Sequence, residues 1–88
     1  MVEQTVTIQN RLGLHARACS VFVKEAAKFA SHIYVARDGI EVNGKSILGV
    51  MMLAAEMGAK ILIKADGKDE QDALQALARV VNDKFGEE

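Results

Sequence analysis

The sequence predicts an open-faced α/β sandwich, an α+β chain in which helices cover one face of a mostly antiparallel sheet. Three observations carry this: a two-residue apolar alternation at the start, helical spacing of apolar side chains in later segments, and an Asp-Gly pair between two β-branched runs. Each helix has a single apolar stripe to bury, so the helices must share one sheet face.

Val2, Gln4, Val6 and Ile8 alternate with Glu3, Thr5 and Thr7, the period of a strand with one covered face. From Ala16 the period changes. Cys19, Phe22, Ala26 and Phe29 recur at three and four residues, with Arg17, Lys24 and Lys28 on the other side of an amphipathic helix. Residues 33–37 and 40–43 are strands joined by Asp38-Gly39, a dipeptide suited to the positive φ angles of a tight hairpin. Asn43-Gly44 turns the chain, Ser46 can cap the next amides, and residues 47–57 read as a helix stopped by Gly58. Residues 60–65 form the fourth strand, and Asp66-Gly67 turns out of it. Asp69 is the candidate cap of a last helix whose stripe is Leu74, Leu77, Ala78, Val81 and Phe85. The predicted order is β-α-β-β-α-β-α in one domain over residues 1–88. Periodicity leaves the strand order open, and a ferredoxin-like arrangement shares the first six elements.

Half the residues are apolar and about a quarter are charged, an ordinary globular composition. Eleven basic side chains against twelve acidic ones produce no whole-molecule field for nucleic acid or an anionic membrane. A single cysteine cannot form an internal disulfide, and the alternating N-terminus lacks the apolar run of a signal peptide. A cytoplasmic monomer is the expectation.

Gly13-Leu14-His15-Ala16-Arg17 lies where the first strand has ended and the first helix begins, and no capping side chain immediately precedes the helix. Free amides at a helix N-terminus, with the positive end of the macrodipole, make an anion site. A neutral imidazole is a nucleophile toward phosphorus, and an unperturbed pKa of about 6.5 leaves most histidine neutral near pH 7. The Ala16 amide and the Arg17 guanidinium could then hold a nearly dianionic phosphoryl group through charge-assisted hydrogen bonds. His15 as an ordinary polar residue at a helix start is the competing reading.

The segment Asn10-Arg11-Leu12-Gly13-Leu14-His15-Ala16-Arg17 resembles the active-site segment of the HPr family, the histidine-containing phosphocarriers of the bacterial phosphotransferase system. The segment from Asn43 through Ser46 to Met51 resembles that family's regulatory serine segment, and the length and element order fit throughout. The resemblance implies a four-stranded antiparallel sheet in the order 1-4-2-3 with three helices on one face. It further implies a carrier, not a stand-alone enzyme. By the same resemblance, Nδ1 of His15 would take a phosphoryl group from phosphorylated enzyme I and pass it to IIA-type domains, for sugar uptake or carbon catabolite regulation, with Arg17 as charge partner. Ser46 would be modified by HPr kinase/phosphorylase, and transcriptional regulators are further partners. No cofactor is implied. One departure stands out: the family usually has proline after the arginine, whereas this chain has Ala18 and no proline anywhere. Alanine there loses some preorganisation and adds a donor.

Lys24, Lys28, Lys45, Ile47, Leu48 and Met51 are the candidate partner-binding residues, a basic rim beside apolar side chains suited to an acidic partner surface. Met52 and Met57 could extend that surface or belong to the core. Cys19 lies on the apolar stripe and reads as core, and His32 has no partner at metal-ligand spacing, so no metal site is expected. An acylphosphatase would need a glycine-rich strand-to-helix loop that is missing. A ferredoxin-like regulatory module without covalent chemistry would show no stable phosphohistidine.

Overall fold

The computed structural model describes residues 1–87. Strands β1 (Val2–Thr7), β2 (His32–Arg37), β3 (Ile40–Asn43) and β4 (Lys60–Asp66) form one antiparallel sheet in the order β1-β4-β2-β3. Helices α1 (Ala16–Ala26), α2 (Ile47–Met51) and α3 (Glu70–Asn82) complete the fold. This is the predicted architecture. The strand between β1 and β2 is β4 and not the hairpin strand β3, which separates the sheet from the ferredoxin-like alternative.

Strand alternation explains where the core lies. Val6 faces Ile61, Ile63 faces Val35, and Ile33 faces Ala65, so one sheet face is a continuous buried apolar row. Cys19, Phe22 and Ala26 of α1, Val50 of α2, and Leu77, Ala78 and Val81 of α3 join the same core. Each fully buried large side chain contributes roughly 1.5–3 kcal/mol relative to exposure. The opposite sheet face carries polar pairs such as Glu3 with Lys64, and the Lys64 ammonium meets Glu41 at 2.9 Å. In the hairpin turn, Asp38 and Gly39 both have positive φ, 50° and 83°, as the dipeptide implies.

Three local expectations are corrected. The second helix stops at Met51 instead of reaching residue 57. The Met52 amide is shared between the Leu48 and Gly49 carbonyls, the Leu53 amide bonds Val50, and Ala54 turns left-handed at φ 47°. The Arg37 guanidinium, arriving from β2, takes the Leu53 and Ala54 carbonyls at 3.1 and 3.0 Å and the Glu56 carboxylate at 2.8 Å. A distant cation thus satisfies the carbonyls of this segment, and Gly58 serves a later turn. Phe85 also lies beyond its expected helix, buried from a 3-10 turn over Lys84–Gly86.

The third correction concerns Asp69, which occupies the N-cap position of α3 but makes no cap bond there. Its carboxylate instead accepts from the Ala30 and Ser31 amides at 2.9 and 3.0 Å and from the Ser31 hydroxyl, tying the exit of α1 to the entry of α3. The Ser31 hydroxyl first, then the Ala30 amide, hold the Asp69 carboxyl below its ordinary range. A depressed pKa adds stability above the unfolded value of about 3.9, and that stability is lost as pH falls through the folded value. Asp69→Asn is therefore expected to lower Tm by several degrees at pH 7, with the difference from wild type shrinking below about pH 3.9. Thermal unfolding followed by circular dichroism across pH checks this; equal Tm at neutral pH would contradict it.

Candidate functional site

The loop between β1 and α1 is built to present one residue. The Asn10 carbonyl accepts from the Gly13 amide at 3.1 Å, closing a tight turn, and Gly13 leaves it at φ 68°. The Leu14 amide then docks on the Ala55 carbonyl at 2.8 Å, within the segment that Arg37 secures. His15 follows as the N-cap of α1 with extended backbone, and no side chain caps the helix. The His15 carbonyl already accepts from the Cys19 amide at 2.9 Å, while the amides of Ala16, Arg17 and Ala18 precede the first helical bond. No acidic residue occupies this turn. Phosphate binding is what such an end favours.

The His15 ring is about a quarter exposed, at 26%. Its Nε2 meets the Glu87 carboxylate, whose other oxygen accepts from Asn10 Nδ2 at 3.0 Å. The same amide group donates to the Gly13 carbonyl at 2.8 Å. Asn10 is fully buried, and both contacts are with acceptors, which fixes the orientation of its amide. The Asn10 hydrogen bond is the largest influence holding the Glu87 carboxyl below its ordinary range; the His15 hydrogen bond and the charges of His15 and Arg17 act in the same direction. Beside this cluster lies a hollow of about 500 Å3 lined by Arg11, Leu12, Arg17, Phe85, Gly86 and Glu87. Arg17 is exposed there and forms no ion pair among the described residues. With Nε2 engaged, Nδ1 is the ring nitrogen without a partner among the described residues.

His15, the Ala16 amide and Arg17 are thus together at the start of α1. Ser46 lies elsewhere, as N-cap of α2, its hydroxyl oxygen accepting from the Gly49 amide at 3.0 Å. Ile47, Leu48 and Met51 are exposed, Leu48 at 76%, and so are Met52 and Met57. None of the candidate lysines lies at the His15 end of α1. Lys24 is in the last turn of α1 and Lys28 beyond it, at the opposite end from His15; Lys28 pairs with Glu25, and the Lys45 ammonium donates to the Phe29 carbonyl at 2.7 Å. Cys19 is core, and burial pushes its thiol up to about 11. His32 lies beside Tyr34, and the described residues contain no cluster able to hold a metal. No helix among them is long and apolar enough to cross a membrane.

Sequence reasoning did not find Glu87, which is 72 positions from its partner His15. No local pattern marks it. Asn10 stood within the recognised segment without a role, and its burial is the signal that singles it out.

Residues 2–83 match the family model described as PTS HPr component phosphorylation site. The phosphocarrier protein HPr of Neisseria meningitidis serogroup A is 47% identical over 87 residues, covering 99% of this chain and 98% of that protein. A crystal structure of HPr-C-His from Thermoanaerobacter tengcongensis superposes with a TM-score of 0.96 at 45% identity, covering 100% of this chain and 99% of the other. The Bacillus subtilis catabolite repression protein Crh, crystallised as a swapped dimer, has a TM-score of 0.77 at 43% identity over 96% of this chain and 97% of its own.

Proposed function

The chain belongs to the HPr family of phosphotransferase-system phosphocarriers, and on that premise we propose that Nδ1 of His15 takes a phosphoryl group from phosphorylated enzyme I and delivers it to a IIA-type domain in the cytoplasm. The observation that carries the reading is the conjunction at the start of α1: an uncapped helix end, a histidine with one ring nitrogen free, and an exposed arginine two residues on. The three leading amides and Arg17 supply donors to the phosphoryl oxygens, and none of them has to break an internal bond to do so. Arg11 adds a second guanidinium at the rim of the same hollow. Holding is thereby balanced against release, since Ala16 and Arg17 are exposed and their donors are screened by water, whereas Ala18 is buried. The test is transfer in both legs, enzyme I to this chain and this chain to a IIA domain, with phosphoenolpyruvate as the only phosphoryl source.

The exposed apolar side chains of Ile47, Leu48 and Met51, together with Lys24, Lys28 and Lys45, are the proposed docking face for these partners. Ser46 is the regulatory residue on that face, modified by HPr kinase/phosphorylase, with transcriptional regulators reading the modified form. A phosphate on Ser46 adds roughly two negative charges where an acidic enzyme I surface must approach a basic rim. Ser46→Asp keeps an N-cap oxygen and so keeps the helix. It is expected to raise the Michaelis constant for the carrier several-fold while lowering turnover little, and added salt should narrow the difference. Wild-type kinetics of Ser46→Asp at low salt would show that charge is not the mechanism.

A further inference from the structure

From the contact between the C-terminal segment and the His15 ring, we propose that Glu87 is a positioning residue for phosphoryl transfer, holding the Nε2 proton of His15 and balancing the charge the ring acquires. The proposal rests on the reading of His15 as the phosphoryl acceptor and adds to it a residue far away in the chain.

The geometry has three parts. First, the carboxylate is itself held: Asn10, fully buried, donates to one Glu87 oxygen at 3.0 Å while the other oxygen faces His15 Nε2. Asn10 is fixed in turn through the Gly13 carbonyl, so the loop that presents His15 also orients the group that contacts it. Second, Glu87 is brought there by an unusual backbone. Lys84, Phe85 and Gly86 have φ of 58°, 57° and 78°, three successive residues in the left-handed region after α3. Two of them carry side chains for which that region is unfavourable, and the burial of Phe85 in the core compensates. This turn reverses the chain so that Glu87 reaches back over the start of α1. Third, the Glu87 side chain is only 14% exposed, so water competes weakly for its oxygens.

The chemistry follows from which atom holds the proton. With Nε2–H donated to Glu87, the lone pair is on Nδ1. As Nδ1 forms its bond to phosphorus, the bond from phosphorus to the donor breaks and its electron pair stays with the donor. Nε2 keeps its proton throughout, and the ring becomes an imidazolium. The carboxylate is already in contact with the nitrogen that carries this proton, so it stabilises the charge as it develops without reorganising. On the return step the same proton keeps the ring a good leaving group, since loss of phosphoryl regenerates neutral imidazole. Arg11 and Arg17 offset the repulsion between the carboxylate and the incoming phosphate.

The experiment uses the full chain as wild type, Glu87→Gln and Glu87→Ala, with folding checked by the amide spectrum. In the unphosphorylated proteins, the Nε2-bound proton of His15 should give a protected resonance in wild type that is lost in Glu87→Ala. In transfer from phosphorylated enzyme I, Glu87→Gln and Glu87→Ala should both lose about tenfold in turnover with little change in the Michaelis constant. An Nε2–H signal that survives in Glu87→Ala, or wild-type turnover in both variants, would overturn the assignment. A wild-type chain that takes up no phosphoryl group would overturn the reading of His15 itself, whereas the resonance of the unphosphorylated protein reports separately on the Glu87 contact.

Discussion

Gly13→Ala is expected to destabilise the protein by about 2–4 kcal/mol and to slow phosphoryl acceptance by more than about tenfold. Gly13 has φ 68°, where an added Cβ costs roughly 1–2 kcal/mol. That Cβ would also lie 2.5 Å from the Ala55 carbonyl oxygen and 3.0 Å from Glu56 Cα. Both are backbone atoms, so no rotamer change relieves the contact. Moving Ala55 away stretches its 2.8 Å bond from the Leu14 amide, a net contribution of about 1 kcal/mol, and Leu14 leads directly into His15. For a chain of this size the loss corresponds to a fall in Tm of about 10 °C or more. Gly58→Ala is the control. Gly58 also has positive φ, 92°, but nothing lies within 4 Å of its added Cβ, so only the conformational term applies. Thermal unfolding of the two variants beside wild type checks the argument. A Gly13→Ala chain as stable as Gly58→Ala would show that the loop can retreat from the 53–56 segment at no cost.

Elements whose side chains follow one period were legible in the sequence. β4 and the apolar stripe of α1 could be read because Ile61, Ile63, Cys19, Phe22 and Ala26 are buried for local reasons of spacing. What could not be read depends on contacts between distant residues. Helix α2 is short because Arg37, on another strand, binds the Leu53 and Ala54 carbonyls. Asp69 looked like a cap because Asp is a common cap residue, yet Ser31 and Ala30, nearly forty positions earlier, claim its carboxylate. The strand order came from family resemblance, since alternation says which face a residue occupies and nothing about which strand lies beside it.

The candidate site divides in the same way. His15, Ala16 and Arg17 are contiguous, so the free helix end and its cation could be inferred from a few residues. Glu87 could not, because its approach depends on the left-handed turn at Lys84–Gly86, and no residue type before Gly86 announces that turn. The exposure of the proposed docking residues was partly legible. The apolar members, Leu48 and Met51, are exposed as expected, whereas Lys28 and Lys45 prove to be engaged with Glu25 and the Phe29 carbonyl.

His15→Ala is expected to abolish phosphoryl acceptance outright, because no other group at the start of α1 is a nucleophile. Arg17 is cationic, the leading amides are donors, and the Glu87 carboxylate meets the ring at Nε2. His32, the other histidine, lies at the start of β2 beside Tyr34 and not at the head of a helix, so it lacks the amides that would hold the product. A phosphoryl group on imidazole nitrogen has a distinctive lability. Acid protonates the ring and makes neutral imidazole the leaving group, whereas alkali leaves the ring a poor one. Esters of serine or threonine survive mild acid. The decisive measurement is therefore intact mass after incubation with phosphoenolpyruvate and enzyme I, before and after mild acid or alkali, on wild type and His15→Ala together. One phosphoryl group on wild type, removed by acid, retained in alkali and absent from His15→Ala, is the predicted result; undiminished labelling of His15→Ala, or an adduct that survives acid, would contradict it.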